Sequence, residues 1–126
     1  MVVFTAVACP SISQKCYDYK HPCHPGDTLV DKFSHTKFTT DTSHKYLIAL
    51  DLNNKILWQT NPWTIQEFRS YDSSMNKSFR SNHISSFFLS SKRKKHSNFI
   101  FLHFHNSPIA AVIEKKNGIF HLLGVM

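Results

Sequence analysis

Phe99-Ile100-Phe101-Leu102-His103-Phe104-His105, Asn106-Ser107-Pro108, Ile109-Ala110-Ala111-Val112-Ile113-Glu114, Lys115-Lys116-Asn117-Gly118, then Ile119 to Val125: this stretch decides the fold. Three apolar runs of strand length are separated by turn residues. Asn117-Gly118 is the strongest hairpin signal, because a tight type I′ turn needs φ > 0 at both central positions. The stretch therefore predicts three antiparallel strands in a meander. With the last turn centred on Asn117-Gly118, Glu114 pairs with His121. With the first turn at Asn106 to Pro108, His103 pairs with Ala111, His105 with Ile109, and Ile100 lies opposite Glu114.

Upstream, Tyr46 to Leu52 and Lys55 to Thr60 flank Asn53-Asn54, and asparagine tolerates the left-handed region. A two-residue turn there places Leu50 opposite Leu57 and Ala49 opposite Trp58. Both faces of this hairpin are apolar, as in a sheet covered on both sides. The run Ala49-Leu50-Asp51, the turn, then Ile56-Leu57-Trp58 resembles one repeat of quinoprotein-type β-propellers, with Asn54 where those repeats place glycine. A looser echo, Ala111 to Glu114 and Asn117 to Phe120, lies 63 residues on. Propellers are built from at least about four blades of roughly 40 residues. The chain is too short to close one, and the two segments are read as ordinary hairpins without a function attached.

Helix-start signals converge after Thr60. Asn61 suits an N-cap with Pro62 at the first position, and Thr64 to Glu67 fits a capping box. Ile65, Phe68 and Tyr71 then share one face of a short helix that fades by Ser73-Ser74. Residues 70–97 hold ten of the fifteen serines and the basic cluster. They read as a mobile, solvated connection, interrupted by strand-like Ile84 to Leu89. Nearer the start, Leu29, Val30 and Phe33 suit a helical turn or an irregular crossing, and Lys37 to Thr40 begins a strand. Val2 to Ala8 suits an edge strand. The expectation is a single β-rich α+β domain, mostly β, with one helix and an irregular segment over residues 1–27.

Pro10, Pro22 and Pro25 break any helix that would align Cys9, Cys16 and Cys23. Cysteines seven residues apart do not match the short ligand pairs of structural zinc sites, and an odd count makes a poor disulfide framework. Cys16 and Cys23 therefore read as reduced thiols in a loop, weak metal candidates only. His103 and His105, two apart on a strand, project from one face as metal-binding pairs do. A third ligand is missing in the expected register, so no metal and no cofactor are expected. No Gly-x-Ser-x-Gly elbow or phosphate loop occurs, and only three glycines and eight acids are present. That argues against an enzyme.

The net charge of +7 is concentrated. Arg69, Lys77, Arg80, Lys92, Arg93, Lys94 and Lys95 stand against the single acid Asp72 between residues 69 and 96. This segment is the candidate polyanion site, and Lys92 to Lys95 resembles a nuclear-import signal. No run reaches the roughly 18–20 apolar residues of a membrane span. With few usable cysteines and no charged leader, the chain reads as intracellular, cytoplasmic or nuclear. The functional expectation is a small non-enzymatic module that binds another protein. Weak, non-specific binding of nucleic acid or another polyanion is the alternative. The skewed composition also suits a weakly selected chain with no defined activity.

Overall fold

Alternation of buried and half-buried side chains marks the first two strands of the chain. The computed structural model describes residue 16 and residues 20–73, 82–89 and 98–125. Strands β1 (Leu29–Asp31), β2 (Thr36–Thr40), β3 (Leu47–Asp51) and β4 (Ile56–Thr60) form one antiparallel sheet in sequence order. A 3₁₀ turn (Pro62–Thr64) and helix α1 (Gln66–Ser73) follow. Strands β5 (Ile84–Leu89), β6 (Phe99–Phe104), β7 (Ile109–Glu114) and β8 (Phe120–Val125) make a second antiparallel sheet, again in sequence order. The chain is mostly β, as the apolar runs predict. Leu29 to Asp31 is a strand, however, and not a helical turn: Leu29 and Asp31 point inward beside Phe38 and Thr36. Ile84 to Leu89 belongs to the core, with Ile84 and Phe87 fully buried, so this part of the expected connection is structural. Residues 74–81 and 90–97 lie outside the described residues, as do Val2 to Ala8.

The two sheets pack face to face. Leu29, Phe38, Leu47 and Ala49 from the first meet one core with Ile100, Leu102, Phe104, Ile109, Ala111 and Ile113 from the second. Asn61 caps the 3₁₀ turn by accepting from the Trp63 N–H at 2.9 Å. Phe68 and Tyr71 of α1 pack onto the core as their spacing predicts, joined by Ile65, which is extended just before the helix. Phe68 is fully buried, 4.8 Å from the Phe104 ring and 5.7 Å from Phe120, with Trp63 edge-on to Phe68 and Phe104. Such aromatic contacts add about 0.5–1.5 kcal/mol each beyond area burial.

Both Asn-containing hairpins form, one residue away from their expected centres. Asp51 closes the first by donating to Lys55 O at 2.9 Å, while its Oδ1 accepts from the Asn53 and Lys55 N–H groups. This leaves a three-residue loop with Asn54 at φ +69, the type I turn plus left-handed residue common in such hairpins. Leu50 therefore faces Ile56, and a bulge at Leu57 restores Ala49 opposite Trp58. In the second hairpin Glu114 pairs with Ile119, and the loop is Lys115 to Gly118 with Gly118 at φ +79. His121 thus pairs with Val112 and not with Glu114. The β6–β7 turn also shifts: Asn106 takes φ +59, His103 pairs with Ala110, and Phe99 lies opposite Glu114. Because β7 is apolar on both faces, its pattern did not resist the slip.

Two further ties fix the sheets. Lys115 Nζ reaches Asp31 at 2.5 Å across the seam, with both side chains nearly inaccessible. Burial raises the Asp31 pKa, but hydrogen bonds from Lys115, Ser34 and the Phe33 N–H, with the Lys115 charge, bring it below the usual carboxylate value. Cys23 exchanges two backbone hydrogen bonds with Phe87 on the edge strand β5. Its side chain forms a disulfide with Cys16, which corrects the expectation of reduced thiols and removes both as metal candidates. The two Cα atoms lie 4.8 Å apart, within the range a disulfide spans. No helix among the described residues is long and apolar enough to cross a membrane.

Candidate interaction surface

A strand in a sheet covered on one side should alternate apolar and polar residues, and β6, β7 and β8 do not. The face of the second sheet turned away from the core carries Phe88, Phe101, Val112 and Leu123 together with Phe99, His103, Glu114 and His121. Across the strands, Phe88, Phe101, Val112 and His121 form one continuous row. Phe88 and Phe101 stack with ring centroids 5.5 Å apart, and His103 meets Phe88 edge-on at 5.4 Å. Leu123 is 54% exposed. A groove of about 670 Å³ lies over Phe99, Phe101, Val112, Glu114, His121 and Leu123, within the roughly 300–1,000 Å³ typical of binding clefts. A second cleft of about 600 Å³ adjoins it through Phe99 and Glu114, reaching Phe33 and Leu57 at the seam.

The electrostatics of this face are sparse. Glu114 Oε2 lies 2.6 Å from His121 Nε2, and this hydrogen bond holds the Glu114 carboxyl below its ordinary value. Burial against the aromatic rings lowers the His103 pKa. An imidazole kept neutral among phenyl rings behaves as part of an apolar surface.

The expected His103/His105 pair is separated. β6 ends at Phe104, so His105 leaves the strand and its ring stacks on His83 at 4.5 Å, with His44 edge-on to His83 at 6.2 Å. Burial, then the neighbouring charges of His105 and His44, depress the His83 pKa. Chain reversals at His44 O, which accepts from the Ile84 N–H, and at His83 O, which accepts from His105, assemble this trio. Nothing in the sequence spacing of 44, 83 and 105 signals it. Among the described residues no group of three or more His, Cys, Asp or Glu side chains is arranged to hold a metal ion.

Of the expected polyanion site only Arg69 lies within the described residues. It is exposed on α1, donating to Gln66 Oε1 at 2.8 Å. Lys77, Arg80, Lys92, Arg93, Lys94 and Lys95 lie outside them. The apolar face was missed as a site because its residues read as core. The available signal was the lack of alternation in β7. No protein-family model, curated protein or solved structure matches the chain.

Proposed function

We propose that this protein is a small non-enzymatic interaction module that binds a protein partner through the outer face of its second sheet. The observation that supports this reading is the apolar groove over Phe99, Phe101, Val112 and Leu123 on the face turned away from the core. Phe99 and Leu123 are exposed there, while Val112 at its floor and neighbouring Phe88 are buried. Contiguous apolar surface of this kind marks interaction sites in soluble domains. The reading of polyanion binding through residues 69–96 stands on charge localisation alone. The cytoplasmic or nuclear placement expected from the sequence loses its cysteine argument, because reducing compartments do not sustain a bond such as Cys16–Cys23.

A photo-crosslinking side chain placed in turn at Leu123, at His121 and at Glu67, exposed on the helix that packs against the opposite face of the second sheet, tests the surface in cells. Discrete adducts at 123 and 121, with none at 67, are the expected result. Adducts of equal yield at all three positions, or at none, would remove the face from consideration.

A further inference from the structure

The two sheets share one register across their second and third strands and, in part, their fourth. Phe38, Ala49 and Trp58 stand side by side across β2, β3 and β4. Phe101, Val112 and His121 stand side by side across β6, β7 and β8, each 63 residues after its counterpart. The first strands take corresponding places, with Leu29 beside Phe38 and Phe88 beside Phe101, although not at the 63-residue spacing. Asn54 and Gly118, both at positive φ, end the corresponding hairpin loops, of three and four residues.

The equivalence reverses the side that is buried. Leu29, Phe38 and Ala49 are wholly buried against the second sheet. Their counterparts Phe88, Phe101 and Val112 form the outward row. Leu50 points outward from the first sheet, whereas Ile113, 63 residues on, lies in the core. The sheets therefore stack as successive units in one direction, not as a mirrored pair. Stacking in one direction leaves one face of each kind over. The outer face of the second sheet is equivalent to the face that docks. The outer face of the first, with Ile48, Leu50 and Ile56, is equivalent to the face that receives it.

Resting on the interaction surface above, we infer that its occupant is a second copy of this chain. The outer face of sheet two in one copy packs on the outer face of sheet one in the next. Inside the chain Trp58 packs on the Lys115–Gly118 turn, its indole N–H donating to Lys115 O at 2.8 Å. Between copies His121 takes the place of Trp58. Leu52, 54% exposed, takes the place of Lys115. Lys37 on the receiving face already donates to Asn54 Oδ1, reaching toward that turn. Such contacts are heterologous, using two different faces, and close into a ring when the rotation per unit permits. Four-stranded sheets close radially with about four to eight units, so about two to four copies complete a ring.

The test is the mass in solution of the full chain by light scattering and sedimentation at micromolar concentration, with Leu123→Lys and Ile56→Glu, each altering one face. The wild type should exceed the 14.6 kDa of one chain. Each variant alone should be monomeric, because every junction needs both faces, and an equimolar mixture should restore one junction as a two-chain species containing one of each. A monomeric wild type would overturn the inference, even if crosslinking from position 123 captured a different protein and so left the interaction surface standing. Association of the wild type without recovery in the mixture would also overturn it, because that is the behaviour of one self-complementary face. Both sites are exposed. Should the circular dichroism melt of either variant differ from wild type, His121→Lys and Gln59→Glu replace them on the same two faces.

Discussion

Replacing Gly118 by alanine probes the junction between the sheets more sharply than any core truncation. At φ +79 an L residue is strained by about 1–2 kcal/mol. A Cβ there would lie 2.6 Å from Trp58 Cε3, 2.7 Å from Trp58 Cδ2 and 2.9 Å from Thr60 Oγ1. Neither neighbour is free to withdraw. The Trp58 indole N–H donates to Lys115 O at 2.8 Å, and the Thr60 hydroxyl donates to Gly118 O at 2.6 Å. Forcing a methyl group into a filled contact costs about 1–3 kcal/mol. Together the two effects reach about 2–5 kcal/mol, a large share of the roughly 5–15 kcal/mol that holds a domain folded. Gly26 is the control: its φ is +92 and a Cβ there meets nothing within 4 Å, so Gly26→Ala carries only the backbone cost of about 1–2 kcal/mol. Urea unfolding followed by tryptophan fluorescence measures both. In a Trp58→Leu background the Gly118→Ala penalty should fall toward the Gly26 value. Equal penalties for the two glycines, or a Gly118 penalty indifferent to Trp58, would refute the packing of this seam.

Reducing the Cys16–Cys23 bond, with its separation of 7 residues, should destabilise the fold by about 2.5 kcal/mol from loop-closure entropy. Thermal melts with and without reductant should differ for the wild type and coincide for a Cys16→Ser/Cys23→Ser variant. The depressed His83 pKa means that the folded state takes up a proton less readily than the unfolded chain. Its contribution is therefore complete above the ordinary histidine value of 6.5 and is lost as pH falls below it. Melting temperatures should drop more between about pH 7.5 and about pH 5 in the wild type than in His83→Gln, and parallel profiles would contradict this. Changing Lys92, Arg93, Lys94 and Lys95 to alanine should abolish a weak, non-specific affinity for mixed-sequence oligonucleotide of about 10⁻⁴–10⁻⁶ M and flatten its salt dependence. Titrations of wild type and variant that coincide at two salt concentrations would end the polyanion reading.

The amino-acid sequence determined most elements of this protein but not the strand Leu29–Asp31, because hairpins, caps and amphipathic spacing are local while a three-residue strand carries too little pattern to read. Asn117-Gly118 and Asn53-Asn54 mark chain reversals wherever they sit, and Asn61-Pro62 starts a helical segment from the chemistry of three neighbouring residues. Register was less legible. Asp51 draws its hairpin into a three-residue loop through side-chain hydrogen bonds. With both faces of β7 apolar, alternation could not say which row enters the core. That choice falls to the opposing sheet, which buries Ile113 and turns Val112 outward.

Contacts between distant residues belong to the tertiary structure alone. Cys16 and Cys23 meet because Cys23 is held on the edge of β5, a strand more than sixty residues later. Lys115 finds Asp31, and His83 finds His44, only after the sheets stack, while His105 reaches His83 through the pairing of β5 with β6. The 63-residue echo was visible in the sequence as two hairpins. Its meaning, successive sheets facing the same way, rests on which face packing buries, and local propensity carries no information about that.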